Sequence, residues 1–459
     1  MTNLPGGGPY RAGVKRNFDI NDYKHIVEVG RAVGVRIQSL FILSEMDREN
    51  ILAKYPTTTY MRDKWNNSHR VNDRQVEIMN YVRDQAAYME FGLHGTGHEW
   101  WAPGEPQKRA EWYNLVDRKP WPEADLRGHI EAFKIIMAQY GFTKENGHSF
   151  PEAFVPCAYS YYWNPNGTFG SYSLGKLLSE AGVKYANTDF GQIPEANPPQ
   201  GVNGGGFDNG THVINRINYG NVWHELNSLP KTPVDQQGSD VIEAHWPNWL
   251  AQDDFLQGEV TAAWIEYYRS IQRMNDRYIA KNTEQLHSQW LYRKFAEVNE
   301  TSPGTVVIDN TKMPAEAYER SILGNLVLKV KLDHGQHISS ATLNDNNVLT
   351  YFEDQGFGFV LLPLLKQQVY TFKYSVSNNE LPVCIWNDGT YNVYDSEQTG
   401  EGINFSVRVY GEQTIKLKSP QAKDIMIEGD VSLVSSSENN FTVRSKDMQG
   451  SNARIFIRF

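Results

Sequence analysis

The stretch from Phe91 to Trp101 reads Phe-Gly-Leu-His-Gly-Thr-Gly-His-Glu-Trp-Trp and carries two imidazoles, His94 and His98, four residues apart. Neutral imidazole nitrogens are the usual protein ligands of first-row metals, and a suitable bend would let both rings meet one ion. A helix would also place them on one face. However, each intervening glycine (Gly95, Gly97) costs a helix about 1 kcal/mol relative to alanine, so a strand end running into a loop is the expected setting. The same spacing occurs in the zinc-protease motif His-Glu-x-x-His. Here Gly95 stands where that chemistry needs its glutamate, and Glu99 follows the second histidine, so that mechanism fits poorly. Other groups able to do chemistry are Asp19 and Asp22, the proline-aromatic turn Pro156 to Tyr159, Asp189 and His245. One carboxylate and two imidazoles, with positions left for water, describe a catalytic metal site better than a closed structural one. A separate histidine, His245, could then serve as general acid. The competing expectation for Asp19 and Asp22 is that they cap a helix.

These groups share a position in the pattern of elements. A short strand, Val14 to Phe18, delivers Asp19 to Asp22, and a helix follows with Tyr23, Ile26, Val27, Gly30 and Val33 at helical spacing before Gly34. Arg36 to Leu43 reads as a buried strand ending at Ser44 to Asp47, and a helix from Asn72 to Gln85 precedes the strand Tyr88 to Leu93 that delivers the histidines. Helix Leu126 to Gln139 leads to strand Ala153 to Val155 and the turn at Pro156; helix Tyr172 to Glu180 leads to strand Lys184 to Asn187 and Asp189. A glycine-rich excursion, Gly201 to Gly210, opens into Thr211 to Ile217 and Val222 to Leu226, and Asp240 to Ala244 delivers His245. About seven strands alternate with helices, which predicts parallel βαβ units closed into a distorted (β/α)7-type barrel with its active face at the strand ends.

A helical region from Glu259 to Val298 closes this domain, predicted to span residues 1–298, and Asn299 to Gly304 has linker composition. Beyond it the period becomes twofold at Leu326 to Leu332, Val369 to Tyr374, Asn404 to Val409, Thr414 to Lys418, Phe441 to Arg444 and Arg454 to Phe459. That pattern predicts a β-sandwich region over residues 305–459, in one unit or in two of about 305–377 and 380–459.

The 459 residues carry a net charge of -10, which speaks against nucleic acid as a partner, and no run of about 18 apolar residues predicts a membrane span. Cys157 and Cys384 lie too far apart for a disulfide framework, and Cys157 reads as a small buried apolar group. The stretch Met1 to Pro9 has neither the basic nor the apolar segment of an export signal. The expected location is therefore inside the cell, or in the periplasm or outside the cell where a signal has been trimmed.

In motif order and spacing, Val14 to Trp249 resembles the polysaccharide deacetylase family, the NodB-like carbohydrate esterases. Phe18-Asp19 is similar to the family's Thr-Phe-Asp-Asp-Gly, and His94-Gly95-Thr96-Gly97-His98 to its His-Ser/Thr-x-x-His. Phe154 to Tyr159 looks like a form of Arg-Pro-Pro-Tyr-Gly, Thr188-Asp189-Phe190 like the motif ending Asp-Trp, and Ala244-His245 like Leu-x-His. The resemblance implies a divalent metal ion, zinc, held by His94, His98 and Asp22, with Asp19 as base, His245 as acid and Asp189 holding the His245 ring. A carbohydrate would be the partner, stacked by Trp100, Trp101, Tyr159, Tyr161 and Trp246, and the reaction would be removal of an N- or O-acetyl group. The chain departs from the family at Ile20, where the metal-binding aspartate would stand, so that the carboxylate falls to Asp22, to Asp47 or to Asp19 itself. It also lacks the third-motif arginine, and Gly95 replaces a hydroxyl residue. Two other readings compete. A catalytically degenerate protein could bind sugar in the same groove, or a glycosidase on a related barrel could use Asp19 with Asp189 or Asp47. His129 and His148 are expected to be structural.

Overall fold

The computed structural model describes residues 19–102, 110–164, 172–197 and 204–459. The expected strand Val14 to Phe18 and the start of the glycine-rich excursion lie outside these residues. Two compact units result. One comprises the described residues up to Val29 and those within Gln38–Arg83 and Met89–Trp264, and the other Gly30–Ile37, Asp84–Tyr88 and Ile265–Phe459.

The described chain opens with helix α1, Ile20–Val33. Asp19 stands before its first turn and accepts the Asn21 N–H at 2.8 Å, while Asp22 Oδ2 accepts the Asp19 N–H at 2.8 Å. This reciprocal pair satisfies amide groups that a helix start leaves unbonded. Tyr23, Ile26 and Val27 form the helix's buried stripe. Strand β1, Ile37–Ile42, and strand β2, Met89–Gly95, follow, with helix α2, Asp73–Asp84, between them. Helix α3, Glu123–Gln139, leads to β3, Ala153–Phe154, and helix α4, Leu174–Ala181, to β4, Tyr185–Thr188. Strands β5, Gly205–Asp208, and β6, Thr211–Asn215, form a hairpin through Asn209 and Gly210, whose φ angles of 49° and 94° suit those two residue types.

The sheet order is β1-β2-β3-β4-β6-β5. β2, β3, β4 and β6 run parallel, with Leu93 opposite Phe154, Phe154 opposite Ala186, and Ala186 opposite Val213. In β2 only His94 is not buried, as expected of a parallel strand covered on both faces. Phe91 anchors it, its ring 4.7 Å from Phe41, 5.8 Å from Phe142 and 6.1 Å from Phe133.

Two expected strands take another form. Val222 to Leu226 is irregular, and Asp240 to Ala244 shrinks to one parallel bridge between Ile217 and Ile242. Side-chain amides hold this chain instead of a ladder. The buried Asn248 donates to the Val222 and Glu225 carbonyls at 2.9 Å each, and Asn221 donates to the Glu243 carbonyl at 2.9 Å.

The predicted helix Glu259 to Val298 is two helices, α5, Gln257–Gln272, and α6, Thr283–Phe295. Lys329 Nζ collects the carbonyls of Gln272, Met274 and Arg277 at 2.6, 2.5 and 2.7 Å and so closes the end of α5. Asn282 caps α6 by accepting the Gln285 N–H at 2.9 Å. Asn299 to Gly304, of linker composition, belongs instead to a hairpin of Glu297–Ser302 with Thr305–Asp309. After a short helix, Ala315–Glu319, the remainder is β and antiparallel apart from Thr350–Tyr351, which pairs in parallel with Ile385–Trp386. A seven-stranded and a four-stranded sheet share one apolar core that includes Ile385, Ile415, Phe441, Phe405, Val407 and Ile455. Among the described residues, no helix is long and apolar enough to cross a membrane.

Candidate functional site

His94 stands near the C-terminal end of β2, and its Nδ1 lies 2.7 Å from the Val155 carbonyl. A carbonyl only accepts, so Nδ1 carries the proton and Nε2 is the lone-pair nitrogen. Burial holds its pKa well below the ordinary histidine range, reinforced by the nearby charges of His98, Arg216 and His245; the Val155 hydrogen bond opposes this only in part. His94 is therefore a neutral imidazole at neutral pH, the form that binds a metal or accepts a proton.

His98 reaches the same neighbourhood through a left-handed backbone, φ 69°, which brings its ring centroid to 5.4 Å from that of His94. Its Nδ1 lies 3.0 Å from Glu99 Oε1. The loop between the two histidines closes over Glu111, whose carboxylate accepts the N–H groups of Thr96 at 2.8 Å and His98 at 2.7 Å. A Cβ on Gly95 would stand 2.0 Å from Glu111 Oε2, and one on Gly97 1.9 Å from the Thr58 carbonyl oxygen. The glycine that departs from the family pattern at position 95 thus makes room for this carboxylate.

A second cluster forms around Glu243, which is 2% exposed. Tyr159 donates its hydroxyl to both carboxylate oxygens, at 2.9 and 3.1 Å, His245 Nε2 lies 3.3 Å from Oε1, and Arg216 Nε lies 3.8 Å from Oε2. The Arg216 guanidinium also sits over the Tyr159 ring, 5.0 Å from its centroid. Burial and the Glu243 charge push the Tyr159 hydroxyl above its ordinary pKa, so it remains a donor. Ala158 and Tyr159 are both left-handed, with φ of 48° and 57°. Such non-glycine residues store about 1–3 kcal/mol each and cluster at functional sites.

The structure redistributes the residues singled out by the sequence. Asp19 and Asp22 form the cap of α1 described above. Asp47, fully buried, accepts from Leu52 N–H and Trp65 Nε1 at 3.0 Å and from Gln139 Nε2 at 2.9 Å, and is a structural hub. Asp189 accepts from the Gly191 N–H at 2.9 Å and Gln192 Nε2 at 3.2 Å, and the carboxylate at the His245 ring is Glu243. Tyr161 is fully buried and donates to Asp208 at 2.7 Å, so it belongs to the core and cannot line a groove. Trp100 is stacked on Trp121 at 4.0 Å and donates to Asp125, while Trp246 packs 4.7 Å from Tyr23. Trp101 faces the exposed Tyr60 at 5.9 Å.

Sequence reasoning missed Glu243, Arg216 and Glu111. The pattern Glu-x-His at a strand end could have signalled Glu243; nothing local marks the other two. His129, expected to be structural, is fully buried between Glu111 and Thr57. Among the described residues, no three His, Cys, Asp or Glu side chains form a group able to hold one metal ion. Compared with protein-family models and with curated proteins, the chain finds no match.

Proposed function

We propose that the chain is a carbohydrate deacetylase of NodB-like type, its six-stranded sheet an arc of a distorted (β/α) barrel and its C-terminal region a β-sandwich. The supporting observation is that His94, with Nε2 as its lone-pair nitrogen, stands beside His98 and is held neutral by burial and by the charges of His98, Arg216 and His245, the last paired with Glu243. The parallel strands β2, β3 and β4 and the continuation of β6 bring these groups to one end of the sheet, where such folds carry their sites. A glycosidase would instead need a second carboxylate across the scissile bond, and the carboxylates proposed for that reading, Asp19, Asp47 and Asp189, are bound to local amides.

A divalent metal such as zinc would be held by His94 and His98, whose Nδ1 atoms both face acceptors, and would polarise the acyl carbonyl. The described residues offer no third protein ligand grouped with them. The remaining roles fall to the second cluster. Glu243 would hold the His245 ring through Nε2, and the Glu243–His245 pair would take the proton of the attacking water and return it to the leaving nitrogen or oxygen. Arg216 takes over the positive charge that the third motif lacks and favours the developing oxyanion. Trp101 with Tyr60 presents apolar ring faces suited to a sugar.

Incubation with N-acetylated and O-acetylated oligosaccharides tests the proposal. Acetate release that falls about 100-fold in His245→Ala is expected; an equal rate in that variant, or no acetate from any of these substrates, contradicts it.

A further inference from the structure

We propose that Glu111 is the positioning residue of this site: an internal carboxylate filling the anion pocket made by the Thr96, Gly97 and His98 N–H groups, which sets the bend that brings His98 beside His94. The inference rests on the reading of those histidines as functional groups.

Glu111 and His129 are both fully buried. One carboxylate receives four donors: the three consecutive backbone N–H groups, at 2.8, 3.4 and 2.7 Å, and His129 Nδ1 at 2.7 Å. Consecutive amides converging in this way form a nest that demands a negative charge, and without one they would be buried and unpaired. His98 holds its left-handed backbone at the end of this nest. The partner ring is itself fixed. His129 Nε2 lies 3.0 Å from Thr57 Oγ1, and Thr96 Oγ1 donates to the His129 carbonyl at 2.7 Å, tying the loop to α3. A glycine at 95 is needed only because the carboxylate occupies this space. Glu111 therefore acts on the site through the backbone N–H of His98.

The test is chemical rescue of Glu111→Ala by formate, a carboxylate small enough for the vacated pocket, read in two ways. The first is the Cε1–H resonances of His94 and His98; the second is the rate of acetate release. Displacement by an ångström at a reacting centre is worth about 100-fold in rate, so a loss of that order is expected. Formate should restore at least about a tenth of the wild-type rate and return the histidine resonances toward their wild-type positions. Glu111→Gln, which fills the pocket, should be impaired and unresponsive to formate. If Glu111→Ala folds poorly, formate should raise its thermal transition in a saturable manner. Wild-type resonances and rate in Glu111→Ala, or losses on which formate has no effect, would overturn the proposal. If the wild-type chain releases no acetate, the deacetylase reading fails, while the resonances still decide the role of Glu111.

Discussion

At the scale of residues, the most informative group is Glu243. It gathers a hydroxyl, an imidazole and a guanidinium around one nearly dry carboxylate. If it orients His245, Glu243→Gln should lower kcat for acetate release by about 100-fold with little change in KM, and Tyr159→Phe by about tenfold, the worth of one hydrogen bond of ~1.4 kcal/mol. A Glu243→Gln enzyme with full kcat would remove the pair from the chemistry. The histidines at 94 and 98 were legible because their spacing is local. Arg216 and Glu111 were not, because each owes its meaning to partners distant in sequence or to a pocket that only folding creates, and Glu243 had only the Glu-x-His pattern as a local sign. Asp19 and Asp22 show the converse. Their local role as caps was legible and is what the geometry displays, so Asp22→Ala should cost about 1 kcal/mol in denaturant unfolding and leave turnover unchanged. Unchanged stability together with lost activity would return Asp22 to the list of ligands.

At the scale of elements, the apolar periods located α1 to α4 and strands β1 to β4 within a few residues, since buried parallel strands and amphipathic helices advertise themselves through composition alone. The segments from Val222 to Leu226 and from Asp240 to Ala244 have apolar residues as well, but Asn221 and Asn248 satisfy their backbone, which no strand pattern reveals. The break between α5 and α6 depends on Lys329, more than 50 residues from the carbonyls it collects. Strain at the Pro156 to Tyr159 turn also escapes a sequence reading. A left-handed alanine costs about 1–2 kcal/mol more than a glycine there, so Ala158→Gly should raise stability by about 0.5 kcal/mol once the entropy of glycine is subtracted. A destabilised Ala158→Gly protein, by thermal or denaturant unfolding, would show that the turn carries no such strain.

At the scale of the whole molecule, charge burial sets the response to pH. Burial lowers the pKa of His94 well below 6.5 and that of His212 to about 3, so the unfolded chain takes up protons first as the pH falls. The stability linked to these groups is full above about pH 6.5 and drains away below it. Unfolding free energy measured from pH 8 to 4 should decline with a slope that His212→Gln reduces; an equal slope in that variant would assign the acid sensitivity elsewhere. The second unit also takes in Gly30–Ile37 and Asp84–Tyr88. Arg36, 3% exposed, donates to the Ala86 carbonyl at 2.7 Å and the Met448 carbonyl at 3.0 Å. A chain truncated after Val298 would strip one partner from this buried cation.

The central claim, that these imidazoles and the Glu243 carboxylate serve acyl hydrolysis on a carbohydrate, is tested most directly by following acetate and new reducing ends together on acetylated oligosaccharides. Acetate without new reducing ends, lost in His94→Ala and in His245→Ala, is the predicted result; reducing ends without acetate, or saturable binding with neither product, would contradict it.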